Sequence, residues 1–233
     1  MKLLFFLFIP FLASAQEIGG YPIEIRMDEM LNPSRHVMME RMGGAAYGTK
    51  GSPMILDDFT RGNIYYSNKS KTSGKLINYD CYNNQVLYSD GTNTYVLPPK
   101  EIDFLEFLVD DESFVFKHVF VEELKKSLFL QVLYNHKSIL YKRHYREFLK
   151  ADYTRAYSAD RRYDEYVNQY DYYLSLDGGD VVSLKPKKKS LLAIMNLHSE
   201  EIEAFLKTEK INLKSDKDLV KVVKYYDSLS TAF

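Results

Sequence analysis

The chain predicts an α+β protein, mainly β: an antiparallel meander sheet of about ten strands, curved or barrel-like, with C-terminal helices packed on it. Three observations lead there. Turn residues recur about every eight to twelve positions from Gly62 to Val109, the spacing of short antiparallel strands. From Pro186 onward the apolar spacing changes from a period of about 2 to about 3.6. The 233 residues include 20 Tyr, 14 Phe and no Trp, and Tyr and Phe both favour strands. The same aromatic excess is also the material of a ligand platform.

Gly62 opens the first strand, Ile64 to Ser67, and the polar run Asn68 to Ser73 follows as a loop. Lys75 to Tyr79 and Val86 to Tyr88 flank the turn residues Asn83 and Asn84. Asp90-Gly91 reads as a two-residue type I′ turn, in which both central residues need positive φ. Tyr95 to Leu97 returns, and Pro98-Pro99 ends it because proline has no N–H for a ladder. In Ile102 to Val109, alternation puts Ile102, Phe104 and Leu108 on one face and Leu105, Phe107 and Val109 on the other. A strand apolar on both sides is expected to be central and covered twice. The strands before it alternate more and are expected near an edge or facing water. Ser113 to Val121, Leu128 to Tyr134, Ser138 to Phe148, Tyr166 to Leu176 and Val181 to Leu184 complete the set, with turns at Asn135 to Lys137 and Asp177 to Asp180.

Leu191, Leu192, Ile194 and Met195 begin the helical part, after the lysine run Lys187 to Lys189. That run reads as a solvated helix start rather than a phosphate site. Ser199 is expected to cap a second helix, with Glu200 and Glu201 in its first turn. Ser215 is expected to cap a third, with Asp218 in the place of the capping-box acid. The stripes Ile202, Phe205, Leu206 and Leu219, Val222, Val223, Tyr226, Leu229 are narrow, and the sheet is the surface available to cover them.

Four segments follow. Residues 1–15 read as a secretory signal peptide: Lys2, an apolar run from Leu3 to Leu12, and the small-residue site Ala13-Ser14-Ala15. Cleavage removes Lys2 from 31 basic residues that face 32 acidic ones, so the formal net charge moves from −1 to −2. Residues 16–50 form an N-terminal arm, partly irregular, rich in Met and broken by Gly43, Gly44 and Gly48. Residues 51–185 form the antiparallel β domain, and residues 186–233 a helical segment packed on it. No later run reaches the roughly 18 apolar residues of a membrane-spanning helix. A membrane β-barrel is disfavoured because Ser138 to Phe148 carries charge on both faces. The expected location is therefore exported, periplasmic or extracellular.

No dinucleotide, P-loop, nucleophile-elbow or metalloprotease motif occurs, and the five histidines have no ligand spacing. No cofactor is expected. Cys81, the single cysteine, reads either as a small buried hydrophobe or as a nucleophile or intermolecular link. His118 among phenylalanines reads as a core histidine. The most suggestive stretch is Tyr141 to Tyr163, where basic and aromatic side chains interleave. Its candidate binding residues are Tyr141, Arg143, Tyr145, Arg146, Arg155, Arg161 and Arg162. Such a surface suits a single-stranded nucleic acid or an anionic sugar polymer, and its other reading is a solvated, ion-paired loop. Near-neutral charge and export argue against nucleic acid.

Gly51-Ser52-Pro53, Asp58-Phe59, Gly62 with Ile64-Tyr65, Leu76, Asn78-Tyr79-Asp80 and Tyr82-Asn83-Asn84 resemble the N-terminal signature of a group of uncharacterised exported bacterial envelope proteins. Lys188 to Leu192, Phe205 to Lys207, Asp218-Leu219 and Tyr225-Tyr226 resemble the closing helices of that group. The resemblance implies export and a β-rich body with a helical end, and it assigns no activity. The function expected is a non-enzymatic binding or structural protein of the envelope, with a polymer, lipid or protein as partner. An envelope hydrolase and a carrier of a lipid or other apolar ligand are the alternatives.

Overall fold

Most strands form where alternation and turn residues place them, but Ser70 to Ser73, expected as loop, belongs to a strand that continues to Asp80. A computed structural model describes residues 23–25, 27, 48–110, 112–151 and 163–229. In chain order the strands are β1 Ile23–Glu24, β2 Thr49–Lys50, β3 Thr60–Tyr66, β4 Ser70–Asp80, β5 Gln85–Ser89, β6 Thr94–Leu97, β7 Ile102–Val109, β8 Glu112–Val121, β9 Lys126–Asn135, β10 Ile139–Leu149, β11 Asp164–Ser175 and β12 Val182–Leu184. The helices are α1 Lys188–Ile194, α2 Ser199–Thr208 and α3 Asp216–Leu229.

The strands make one sheet in the order β12-β11-β10-β9-β8-β7-β3-β4-β5-β6. It is mostly antiparallel, but two short pairings correct the purely antiparallel expectation: β1 runs parallel to β4, and β2 parallel to β11. Nor is it a simple meander. The Pro98 to Glu101 connection carries the chain from edge strand β6 back to β7, which pairs with β3. The strand at Ile64 is therefore internal rather than near an edge. The sheet is also open, since β6 and β12 end the order and do not pair with each other.

The sheet is nonetheless strongly curled. Five strand spacings separate β4 from β10, about 24 Å if flat. Both strands hold the same short segment. From β4, Tyr79 O accepts from Ile55 N at 2.8 Å, and Cys81 N, just past the strand, donates to Pro53 O at 2.9 Å. From β10, Arg146 donates to Ser52 O at 3.1 Å and to Met54 O at 2.7 Å. Residues 52 to 54 reach only about 7 Å, so the sheet bends around them. Just past β4, Tyr82 meets Phe148 of β10 and Tyr166 of β11, with ring centroids 6.3 and 5.5 Å apart.

Two cores share the inner face. One gathers Ile64, Ile77, Tyr79, Leu105, Phe107, Phe116 and Phe129. The other packs Leu140, Tyr172, Leu174 and Leu184 against Leu191, Ile202, Leu219, Val222, Val223 and Tyr226 of the helices. The helical stripes thus cover the sheet, as their narrowness requires. Asp227 Oδ2 fastens α3 to the β9–β10 hairpin, accepting from Tyr134 Oη at 3.0 Å and Ser138 N at 3.1 Å. A smaller cluster, with Val121, Leu128, Leu130, Tyr141 and Tyr173, lies on the outer face.

Local details depart from the sequence in physical ways. A register shift at Asp103 moves Ile102 onto the face of Leu105 and Phe107. Leu108 is exposed, so β7 is not covered twice along its whole length. Asp90-Gly91 is not a two-residue turn: Gly91 alone of the pair has positive φ, and Asp90 Oδ1 accepts from Thr92 N and Asn93 N to close a longer loop. Ser199 is the first residue of α2, whose cap is His198 without a side-chain bond. Ser215 Oγ does accept from Asp218 N at 3.4 Å, but Asp218 reaches back to Asn212 N rather than to Ser215.

Gly62 sits where β3 passes between β4 and β7. A Cβ there would lie 2.4 Å from Glu106 O and 2.6 Å from Ile77 Cδ1. Gly62→Ala should therefore cost about 1–3 kcal/mol, the usual cost of overpacking. Denaturant unfolding measures it, and unchanged stability would refute this packing.

Candidate ligand site

Register lines up one row of side chains across the inner face: Ile64, Leu105, Phe116, Gln131, Lys142, Tyr172 and Leu184. Its ends belong to the two cores, and its middle is polar. Next to Lys142 on that face comes His144, then Arg146, because side chains two apart share a face.

At this polar seam lies a half-open hollow of about 210 Å³, lined by Ile55, Leu56, Phe107, Phe114, Phe116, Gln131 and His144. The segment carrying Ile55 and Leu56 forms one wall. Asn78 holds that segment: its Nδ2 donates to Leu56 O at 2.9 Å and to Asp58 O at 3.2 Å. Arg146 and β4 hold the residues before it. The other walls are the side chains of β7 to β10. Leu133 is the extra residue at the β9–β10 bulge, which sets Lys142 opposite Gln131.

His144 Nε2 lies 2.7 Å from Gln131 Oε1. Burial, with Lys142 and Arg146 beside it, depresses the imidazole pKa to about 4. The ring is therefore neutral at pH 7. Its Nε2 carries the proton given to Gln131, and Nδ1 is left as an acceptor. A ring with so low a pKa suits hydrogen bonding better than proton transfer near neutrality. Lys142 is committed elsewhere: its Nζ pairs with Asp216 Oδ2 at 2.7 Å and lies 4.6 Å from the Tyr170 ring centroid. Tyr172 Oη donates to Asp216 Oδ1 at 2.5 Å. Burial and then Asp216 push that phenol above its usual range.

The residues singled out in the sequence do not gather into one surface. Tyr141 is buried in the outer-face cluster. Arg143 and Tyr145 share that outer face, the guanidinium 4.4 Å from the Tyr145 centroid and 3.4 Å from Asp171 Oδ2. Arg146 faces the other way, into the 52–54 carbonyls. Arg155, Arg161 and Arg162 lie outside the described residues. Cys81 is buried, and burial lifts its thiol to about 12, far from a nucleophile's range. His118 is half-buried and stacked on Phe129 with centroids 4.6 Å apart, its pKa lowered by burial. Among the described residues no cluster of three or more His, Cys, Asp or Glu could hold a metal ion.

Gln131, His144 and Asp216 escaped the sequence reading. Alternation already put Lys142, His144 and Arg146 on one side of their strand. Their partners Gln131 and Asp216 come from another strand and a distant helix, and nothing local marks them. Comparison with protein families, curated proteins and solved structures finds no match to this chain.

Two outcomes are expected. Arg146→Lys keeps the charge but loses the fork that binds two carbonyls. It should cost about 1–3 kcal/mol, more than Arg143→Lys, in paired unfolding curves. For His144, the unfolded chain binds the proton below about 6.5 and the folded chain only near 4. Across that interval the unfolded state holds more protons, so stability falls as pH is lowered. Against His144→Phe, the parent should lose roughly 3 kcal/mol more between pH 6.5 and pH 4. Parallel pH profiles would show the ring is not held neutral.

Proposed function

We propose that this chain is an exported, non-enzymatic binding protein of the cell envelope whose ligand seats an apolar group in the hollow between Leu56 and His144. The hollow carries the reading: phenylalanine and aliphatic walls with one small polar end are the make-up of a small-molecule site. Its size selects the ligand. A cavity of about 150 Å³ accepts benzene, so about 210 Å³ suits a ring or a short branched chain better than a long acyl chain. The leader-like residues 1–15 and the resemblance to exported envelope proteins support the location. No helix among the described residues is long and apolar enough to cross a membrane. Arg143 and Arg146 are bound within the fold and on opposite faces, which favours the hollow over a basic polymer-binding surface.

Titration with toluene, followed by methyl and ring NMR shifts, tests the reading. Shifts should localise to Ile55, Leu56, Phe107, Phe114 and Phe116. Phe114→Trp and Leu56→Trp, which fill the space, should each abolish them while circular dichroism stays unchanged. Shifts spread over the surface, or unaffected by both variants, would reject it.

A further inference from the structure

We infer that the open edge of β11, from Val167 to Asp171, takes an extended peptide segment of another protein as one more strand. This edge is a second binding surface and does not depend on the hollow. Register defines it. Glu165 pairs with Leu149 of β10 on one side and with Lys50 of β2 on the other. Tyr172 pairs with Lys142 of β10 on one side and with Leu184 of β12 on the other. Gly51 still lies against Tyr166, where a Cβ would come 2.6 Å from the Tyr166 carbonyl oxygen. Its φ of +75° then turns the chain away toward Arg146. Val167 to Asp171 are left with β10 on one side and, among the described residues, no strand on the other. Alternate residues of that stretch aim their N–H and C=O groups away from β10. Asn168 and Tyr170 are exposed, so no packed element seals the edge from water.

The shape of the edge selects the occupant. β2 and β12 each stand one strand spacing, about 4.8 Å, outside β11. The open stretch is therefore a notch one strand deep and about five residues, or about 17 Å, long. A second copy of the chain presents the same recessed edge, and two recesses cannot meet to exchange ladder bonds. The end strands it could offer instead are short. β6 has four residues and is followed by Pro98-Pro99, and β12 has three and is followed by Lys185-Pro186. Brevity and proline are devices that keep an edge from pairing. Val167 to Asp171 has no Pro, Gly, Lys or bulge. Its one charge, Asp171, is turned to Arg143 at 3.4 Å on the outer face. Val167 and Tyr170 are strand formers that pair well with β-branched and aromatic neighbours. A single extended segment of such residues, reaching in from a flexible tail or loop, fills the notch, and its main-chain bonds supply the affinity.

The test is an NMR titration of the full chain with a blocked heptapeptide that alternates valine and threonine between terminal lysines. Amide shifts and slowed hydrogen exchange should localise to Val167 through Asp171, with alternate amides protected. The fully N-methylated analogue keeps the side chains and loses every ladder donor. It should bind about tenfold more weakly or worse, since each neutral hydrogen bond lost costs roughly fivefold. Equal binding of the two peptides overturns the added strand. Shifts at β6 or β12 instead, or no binding at millimolar peptide, overturn the assignment of this edge. Val167 to Asp171 amides that shift on dilution of the chain alone overturn the peptide in favour of a second copy. The toluene titration above reads other residues, so failure here leaves the hollow standing, and failure there leaves the edge standing.

Discussion

The short segment from Ser52 to Leu56 is gripped from two directions, and that grip shapes the molecule. Strand β4 bonds it through main-chain atoms, and Arg146 of β10 bonds it through a charged fork. A charged donor to a main-chain carbonyl is among the stronger hydrogen bonds in a protein. Here it is spent holding together strands that a flat sheet would keep far apart. The curl follows, and from the curl follows an inner face whose side chains converge. The hollow is the space left where Ile55 and Leu56 bridge that face without filling it.

The inner face is apolar at its two ends for different reasons. On the β3–β7–β8 side, strands pack their own alternate side chains against the bridging segment. On the β10–β12 side, three helices supply the cover, with α3 contributing most of the buried residues. Neither cover reaches the middle. There the sheet carries Gln131, Lys142 and His144, whose polar groups need partners once water is excluded. Asp216 at the start of α3 answers Lys142, and its position in the first turn also suits the helix dipole. Gln131 answers only one side of His144. A seam between two cores thus keeps unspent hydrogen-bonding capacity next to an apolar space.

The positive charges of β10 illustrate how alternation separates neighbours. Arg143 and Arg146 are three residues apart in a strand, so they leave opposite faces. One lies over a tyrosine ring beside Asp171, and the other is half-buried against carbonyls. Their nearness in sequence suggested one basic surface. In the fold they serve an outer ion pair and an inner clasp.

Period alone determined much of this protein. The ten main strands and three helices follow from alternation, turn residues and the change of spacing after Pro186, because these are local properties of the backbone and its side chains. Burial of Cys81 and the docking of the helical stripes were legible for the same reason, whereas His118, read as a core histidine, is only half-buried. Strand order, the two parallel additions, the curl and the hollow were not. Each depends on which residues far apart in the chain become neighbours, as Arg146 does with Ser52 and His144 with Gln131. A pattern of period 2 states which side of a strand a residue takes, and only the packed sheet decides what stands across from it.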